Sequence, residues 1–147
     1  MAGNRITFGR VEMVGFLGTY QVNLDEKGRL NVPAKFKGLL DKQYDNHNLV
    51  VAVMPDKEGN KDREYLIVFP QKEWLVNEEK LSHLSGLDGD DRNKMREIYA
   101  QASECEVKSG KILIPQHQRD RAGLKKEVIL VGMSKTFEIW SADRFEI

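Results

Sequence analysis

"NLDEKGRLNVP", residues 23–33, reads as a strand end, a tight turn with a charged tip and a second strand, and a looser copy, "EVKSGKILIP", begins at Glu106. Before the first turn, "GTYQVNL" alternates bulky and polar residues as a half-buried strand does. Asp25 to Gly28 supplies turn chemistry, because Asp can bond its own following backbone and Gly tolerates positive φ. "RLNV" alternates again, and Pro33 opens a short helix, "PAKFKGLL", where its missing N–H costs nothing. Two apolar runs, "LVVAVM" and "YLIVF", complete this half around the charged loop "PDKEGNKDRE".

The second half repeats the order. "KILI" follows the second turn, Pro115 opens a helical segment to about Ala122, and "EVILVGM" and "TFEIW" supply two more strands. Gly28 superposes on Gly110 with an offset of 82 residues, and the same shift carries Pro33 onto Pro115. A hairpin alone is too small to bury its apolar face, so two such units predict one pseudo-twofold domain. The expected division is a first repeat over 18–70, a helical insert over 71–101 and a second repeat over 102–145, the repeats forming one compact domain.

In the insert, "PQKEWLVNEEKLSHL" carries Trp74, Leu81 and Leu84 on one helical face, and "DGDDRNKMREIYAQAS" carries Met95, Ile98, Tyr99 and Ala102 at helical spacing. Asp88, with Asp91 three residues on, marks a helix start. Two amphipathic helices in an αα-hairpin are predicted. "DGDDRN" does not begin a calcium loop, since Arg92 stands where an oxygen ligand belongs.

A chain of 147 residues fits one domain with a real core. Its single cysteine, Cys105, excludes an internal disulfide, and no apolar run approaches the roughly 20 residues of a membrane span. The first 13 residues lack the continuous apolar stretch of a secretory signal, so a reducing cytoplasm and no membrane partner are expected. With 23 basic and 23 acidic side chains the net charge is zero, yet it is unevenly spread. Residues 25–40 hold four basic and two acidic side chains, residues 107–126 six and one, and residues 41–106 nine and fifteen. Both turn-bearing units are therefore basic and the middle is acidic. A pseudo-twofold arrangement is expected to gather the two basic turns into one patch, side by side.

Catalysis is the weaker class. His47, His83 and His117 stand at no metal-pair spacing with another His or Cys, and no metal or other cofactor is expected. Cys105 has no nucleophile signature and reads as a small core residue. Asp25 has Val107 as its counterpart, which excludes a symmetric carboxylate pair.

Taken in order, "FLGTYQVNLDEKGRLNVPAKF", "QASECEV", "GKILIP" and "AGLKKEVILVGMSKTFEIW" resemble the MraZ transcriptional regulators, whose hairpins belong to the AbrB-like class. The resemblance runs from about Met13 to about Arg144; the extension before Met13 departs from it, and Met13 is an alternative start. It implies an α+β fold in which two repeats of one chain form a pseudo-twofold swapped-hairpin (AbrB-like) β-barrel with the helical insert between them. It further implies chains assembled into a ring, bound to double-stranded DNA at repeated G-containing promoter boxes upstream of the division and cell-wall gene cluster, the family's own promoter included. That places the protein in the cytoplasm, at the nucleoid.

The family's DNA contact is an Asp-x-x-x-Arg turn, matched here by Asp25 and Arg29. The second turn lacks the Asp and has Lys111 in place of Arg. Lysine can neutralise phosphate but cannot make the two-pronged contact to guanine that Arg makes. The residues themselves lead the same way: a two-stranded ribbon fits a major groove, and a tip bearing Lys27 and Arg29 offers donors to phosphates and guanine edges. Asp25 reads as the turn-former that orients Arg29, and Lys108, Lys111, Arg119 and Arg121 as further DNA contacts. Two rival classes remain: a hairpin-type antitoxin, expected to carry a disordered toxin-binding tail that the sequence after "IWSADRFEI" does not supply, and a double-barrel enzyme, expected to hold paired acids in a deep pocket.

Overall fold

The computed structural model describes residues 14–146; the segment up to Met13, with Met13 as an alternative start, lies outside the described residues. The fold is α+β. Its strands are β1 (Thr19–Asn23), β2 (Arg29–Asn31), β3 (Asn48–Met54), β4 (Tyr65–Pro70), β5 (Ser103–Glu106), β6 (Lys111–Leu113), β7 (Glu127–Met133) and β8 (Thr136–Ser141). Its helices are α1 (Ala34–Leu39), α2 (Gln71–Leu81), α3 (Gly89–Tyr99) and α4 (Gln116–Ala122).

Six strands form one antiparallel sheet in the order β1-β7-β8-β4-β3-β5, and β2 pairs with β6 in a separate ribbon. Exchanging every strand for its counterpart in the other half leaves both orders unchanged. The strands flanking each turn do not pair with each other: β1 runs along β7, β5 along β3, and β2 along β6. This differs from two self-contained hairpins. Only the turn residues close locally, through Asp25 N–H to Arg29 O at 2.8 Å in the first and reciprocal Lys108–Lys111 bonds at 2.9 Å in the second. The six-stranded sheet ends at β1 and β5 and is not closed.

The main core lies on one face of this sheet. Phe16, Phe36 and Phe137 meet with ring centroids 5.0–5.3 Å apart, and Leu30, Ile112, Ile114, Leu66, Val68, Leu130 and Ile139 pack around them, all buried. Pro33, Pro70 and Pro115 each stand at a helix start, where a missing N–H breaks no bond. After α1 the chain continues through a π-helical turn, Leu40–Tyr44, which carries the predicted helix past Leu40 and buries Leu40 and Tyr44. Asp88 caps α3 by accepting from the N–H groups of Asp90 and Asp91. Trp74 and Ile98 of the insert, with Ala102 just after it, cover Val50 and Ala52 on the outer side of β3, while Tyr99 stays exposed. Among the described residues no helix is long and apolar enough to cross a membrane.

Candidate nucleic-acid interface

The ribbon β2–β6 positions the candidate site. Alternation puts Leu30 and Ile112 inward, fully buried, and turns Arg29, Asn31, Lys111 and Leu113 outward. Arg29 lies opposite Leu113 and Asn31 opposite Lys111, so one outward face combines residues from both halves. Gly28 O accepts from Ile114 N–H at 2.9 Å and Gly110 O from Val32 N–H at 2.8 Å, which extends the ribbon to each turn. Because β2 and β6 are antiparallel, the turns sit at opposite ends of the ribbon, roughly 14 Å apart along it at about 3.4 Å per residue. They are not side by side.

The first turn is tightly organised. Asp25 Oδ1 accepts the backbone N–H groups of Lys27 and Arg29, each at 2.9 Å, and Oδ2 accepts Nε–H of Arg29 at 2.8 Å. The backbone N–H of Arg29, ahead of its side chain and of the Lys27 N–H, holds the Asp25 carboxyl below the usual carboxylate range against an opposing effect of burial. The carboxylate thus fixes one edge of the guanidinium, and among the described residues the two Nη groups of Arg29 carry no hydrogen bond. The Lys27 side chain is exposed beside it.

The second turn is built differently. Ser109 and Gly110 have φ of 51° and 74°, the left-handed pair that a two-residue hairpin turn requires. Lys108 projects into solvent, 3.9 Å from Glu106, and Lys111 Nζ donates to Asn31 Oδ1 at 2.9 Å. Among the described residues no carboxylate orients the Lys111 ammonium as Asp25 orients Arg29.

Two of the arginines singled out from sequence are engaged within the protein. Arg121 makes a two-pronged pair with Glu64, both bonds at 2.8 Å, and Glu64 is only 5% exposed. Arg119 directs its guanidinium at the carbonyls of Ile114 and Lys27 and at Gln116. Sequence reading missed Asn31 and Leu113 as members of the outward face, although period-two alternation from Arg29 and Lys111 marks them. It also counted Lys126 only as bulk charge; its carbonyl accepts from Leu24 N–H at 2.8 Å, which puts it beside the first turn, where Asp25, Glu26, Gly28, Arg119, Lys125 and Lys126 line an open depression. Cys105 packs against the core, and burial pushes its thiol up to about 11.

These elements define a class: an α+β protein whose two halves jointly build one ribbon flanked by two basic turns. Residues 15–54 and 98–147 match the family described as the MraZ protein, with a likeness to antitoxins in that description. Curated proteins named "Transcriptional regulator MraZ" align over most of the chain. The one from Carboxydothermus hydrogenoformans is 40% identical over 87% of this chain and 82% of its own length. That from Geobacter metallireducens is 36% identical over 89% and 85%, and that from Ligilactobacillus salivarius 39% over 89% and 84%. The chain belongs to the MraZ family. These relatives are named as regulators, not as enzymes.

Proposed function

We propose that this chain is a transcriptional regulator that binds double-stranded DNA through its ribbon face and flanking turns. One observation carries the reading: Arg29 is fixed at one edge by Asp25 and presents its remaining donors outward at the end of a ribbon narrow enough for a major groove. In this reading Arg29 forks onto guanine, Lys27, Lys108 and Lys111 neutralise phosphates, and Asn31 and Leu113 face the base edges between them. The printed names of the relatives support transcriptional regulation. The exchange of strands between the two turn units supports a swapped-hairpin barrel made of repeats at 18–70 and 102–145 about an insert at 71–101.

The targets we assign are repeated G-containing boxes upstream of a division and cell-wall gene cluster, including the chain's own promoter, with the protein acting in the cytoplasm at the nucleoid. One ribbon spans few base pairs, so useful affinity needs several subunits on successive boxes, which is the reason to assign a homo-oligomeric ring. The test is protection mapping of the chain's own promoter across a salt series. Spaced protection of G-containing boxes that weakens steeply with salt is expected. Absence of protection, or affinity independent of salt, refutes the reading.

A further inference from the structure

The first turn is held from the other half of the chain. Arg119, on α4, sends Nη1 to the Ile114 carbonyl at 2.8 Å and to the Lys27 carbonyl at 3.4 Å, and Nη2 to Gln116 Oε1 at 2.5 Å. Its guanidinium lies against Gly28 so closely that a Cβ there would stand 1.4 Å from Nη1 and 2.5 Å from Cζ. Gly28 also has φ of 86°, a backbone conformation that favours glycine, and any Cβ there would displace the Arg119 guanidinium.

The second half of the molecule is an internal comparison. Eighty-two residues before Arg119 stands Lys37, whose Nζ goes to Asp41 at 3.4 Å, and nothing lies within 4 Å of a Cβ built on Gly110. Among the described residues, the turn that carries the Asp25–Arg29 pair is clasped and the other is not. We propose that Arg119 is a positioning residue that fixes the first turn for base reading, and is not itself a phosphate contact. Both Nη groups are directed at the protein, which leaves them poorly placed for a phosphate, and a turn ordered beforehand loses less freedom on binding. The proposal rests on reading the first turn as a DNA contact.

The test compares wild type, Arg119→Ala and Arg119→Lys on two duplexes of equal length, one from the chain's own promoter and one scrambled, over a salt series. With Arg119→Ala the preference for the promoter duplex falls by about tenfold, while the slope of log affinity against log salt stays that of wild type. Arg119→Lys does not restore the preference, because a single ammonium cannot hold both carbonyls that Nη1 reaches together with the Gln116 Oε1 that Nη2 reaches. Hydrogen exchange at the Gly28 amide quickens in both variants, with the β7 and β8 amides unchanged. A slope shallower by about one with the preference intact overturns the proposal, since that is the signature of a lost phosphate contact. Full recovery by lysine overturns it too. Should Arg119→Ala not fold, Arg119→Lys carries the same readouts. If wild type shows no promoter preference, the DNA reading of the turn fails separately, and unchanged exchange at Gly28 in Arg119→Lys then overturns the clasp on its own.

Discussion

Asp25 and Arg29 are joined twice: the backbone N–H of Arg29 donates to Oδ1 at 2.9 Å, and its Nε–H donates to Oδ2 at 2.8 Å. One carboxylate therefore closes the turn and aims the side chain that leaves it. The same two residues carry the central claim, because an oriented guanidinium is what separates base reading from phosphate attraction.

The pair predicts a titration. The Asp25 carboxyl lies below its usual range, chiefly through the Arg29 N–H. A group lowered in the folded state contributes stability above its unfolded value and loses it as pH falls through the folded value. The turn is thus intact at neutral pH and loosens only in acid below the ordinary carboxylate range. Arg29→Ala removes the side-chain bond and moves the Asp25 midpoint upward in an NMR titration; an unmoved midpoint contradicts the pairing.

Lys111 predicts a division of labour between the turns. Its ammonium is held by Asn31 and by no carboxylate among the described residues. Lys111→Ala is expected to weaken promoter and scrambled duplexes by similar factors, because a phosphate contact carries no sequence information. Competition binding with both duplexes measures this directly, and a selective loss on the promoter would make the second turn a reader as well.

Arg121 predicts a stability effect without a DNA effect. Removing it leaves Glu64 nearly buried and unpaired, while Arg144 still donates to the Glu64 carbonyl at 3.0 Å. Arg121→Ala should cost about 1–3 kcal/mol in urea unfolding, with the salt slope of DNA binding unchanged. A shallower slope would place Arg121 on the DNA.

Cys105 predicts slow alkylation. With its thiol pushed up to about 11 by burial, little thiolate exists at pH 8, so iodoacetamide should react far more slowly with the native protein than with the urea-unfolded chain. Equal rates would mean that β5 is not packed as described.

Much of this architecture is legible in the sequence, because alternation and punctuation are local. The shift of 82 residues reappears in the starts of β2 and β6 and of α1 and α4, and "EVILVGM" is β7 residue for residue. Pairing partners are not legible: whether "RLN" runs beside its own preceding strand or beside "KIL" depends on which arrangement buries Leu30 and Ile112, and that is decided by the whole core. The roles of Arg119 and Arg121 are hidden for the same reason. Their partners, Lys27 and Glu64, lie 92 and 57 residues away, and charge counting treats both arginines as free cations.

The most direct measurement is the ratio of promoter to scrambled-duplex affinity for wild type and Arg29→Ala at one salt concentration. Arg29 is at an exposed turn, so the variant should keep its thermal midpoint while the ratio falls by about 5- to 150-fold, the worth of one forked contact to guanine. A ratio equal to that of wild type, in a protein that still folds, would contradict the account.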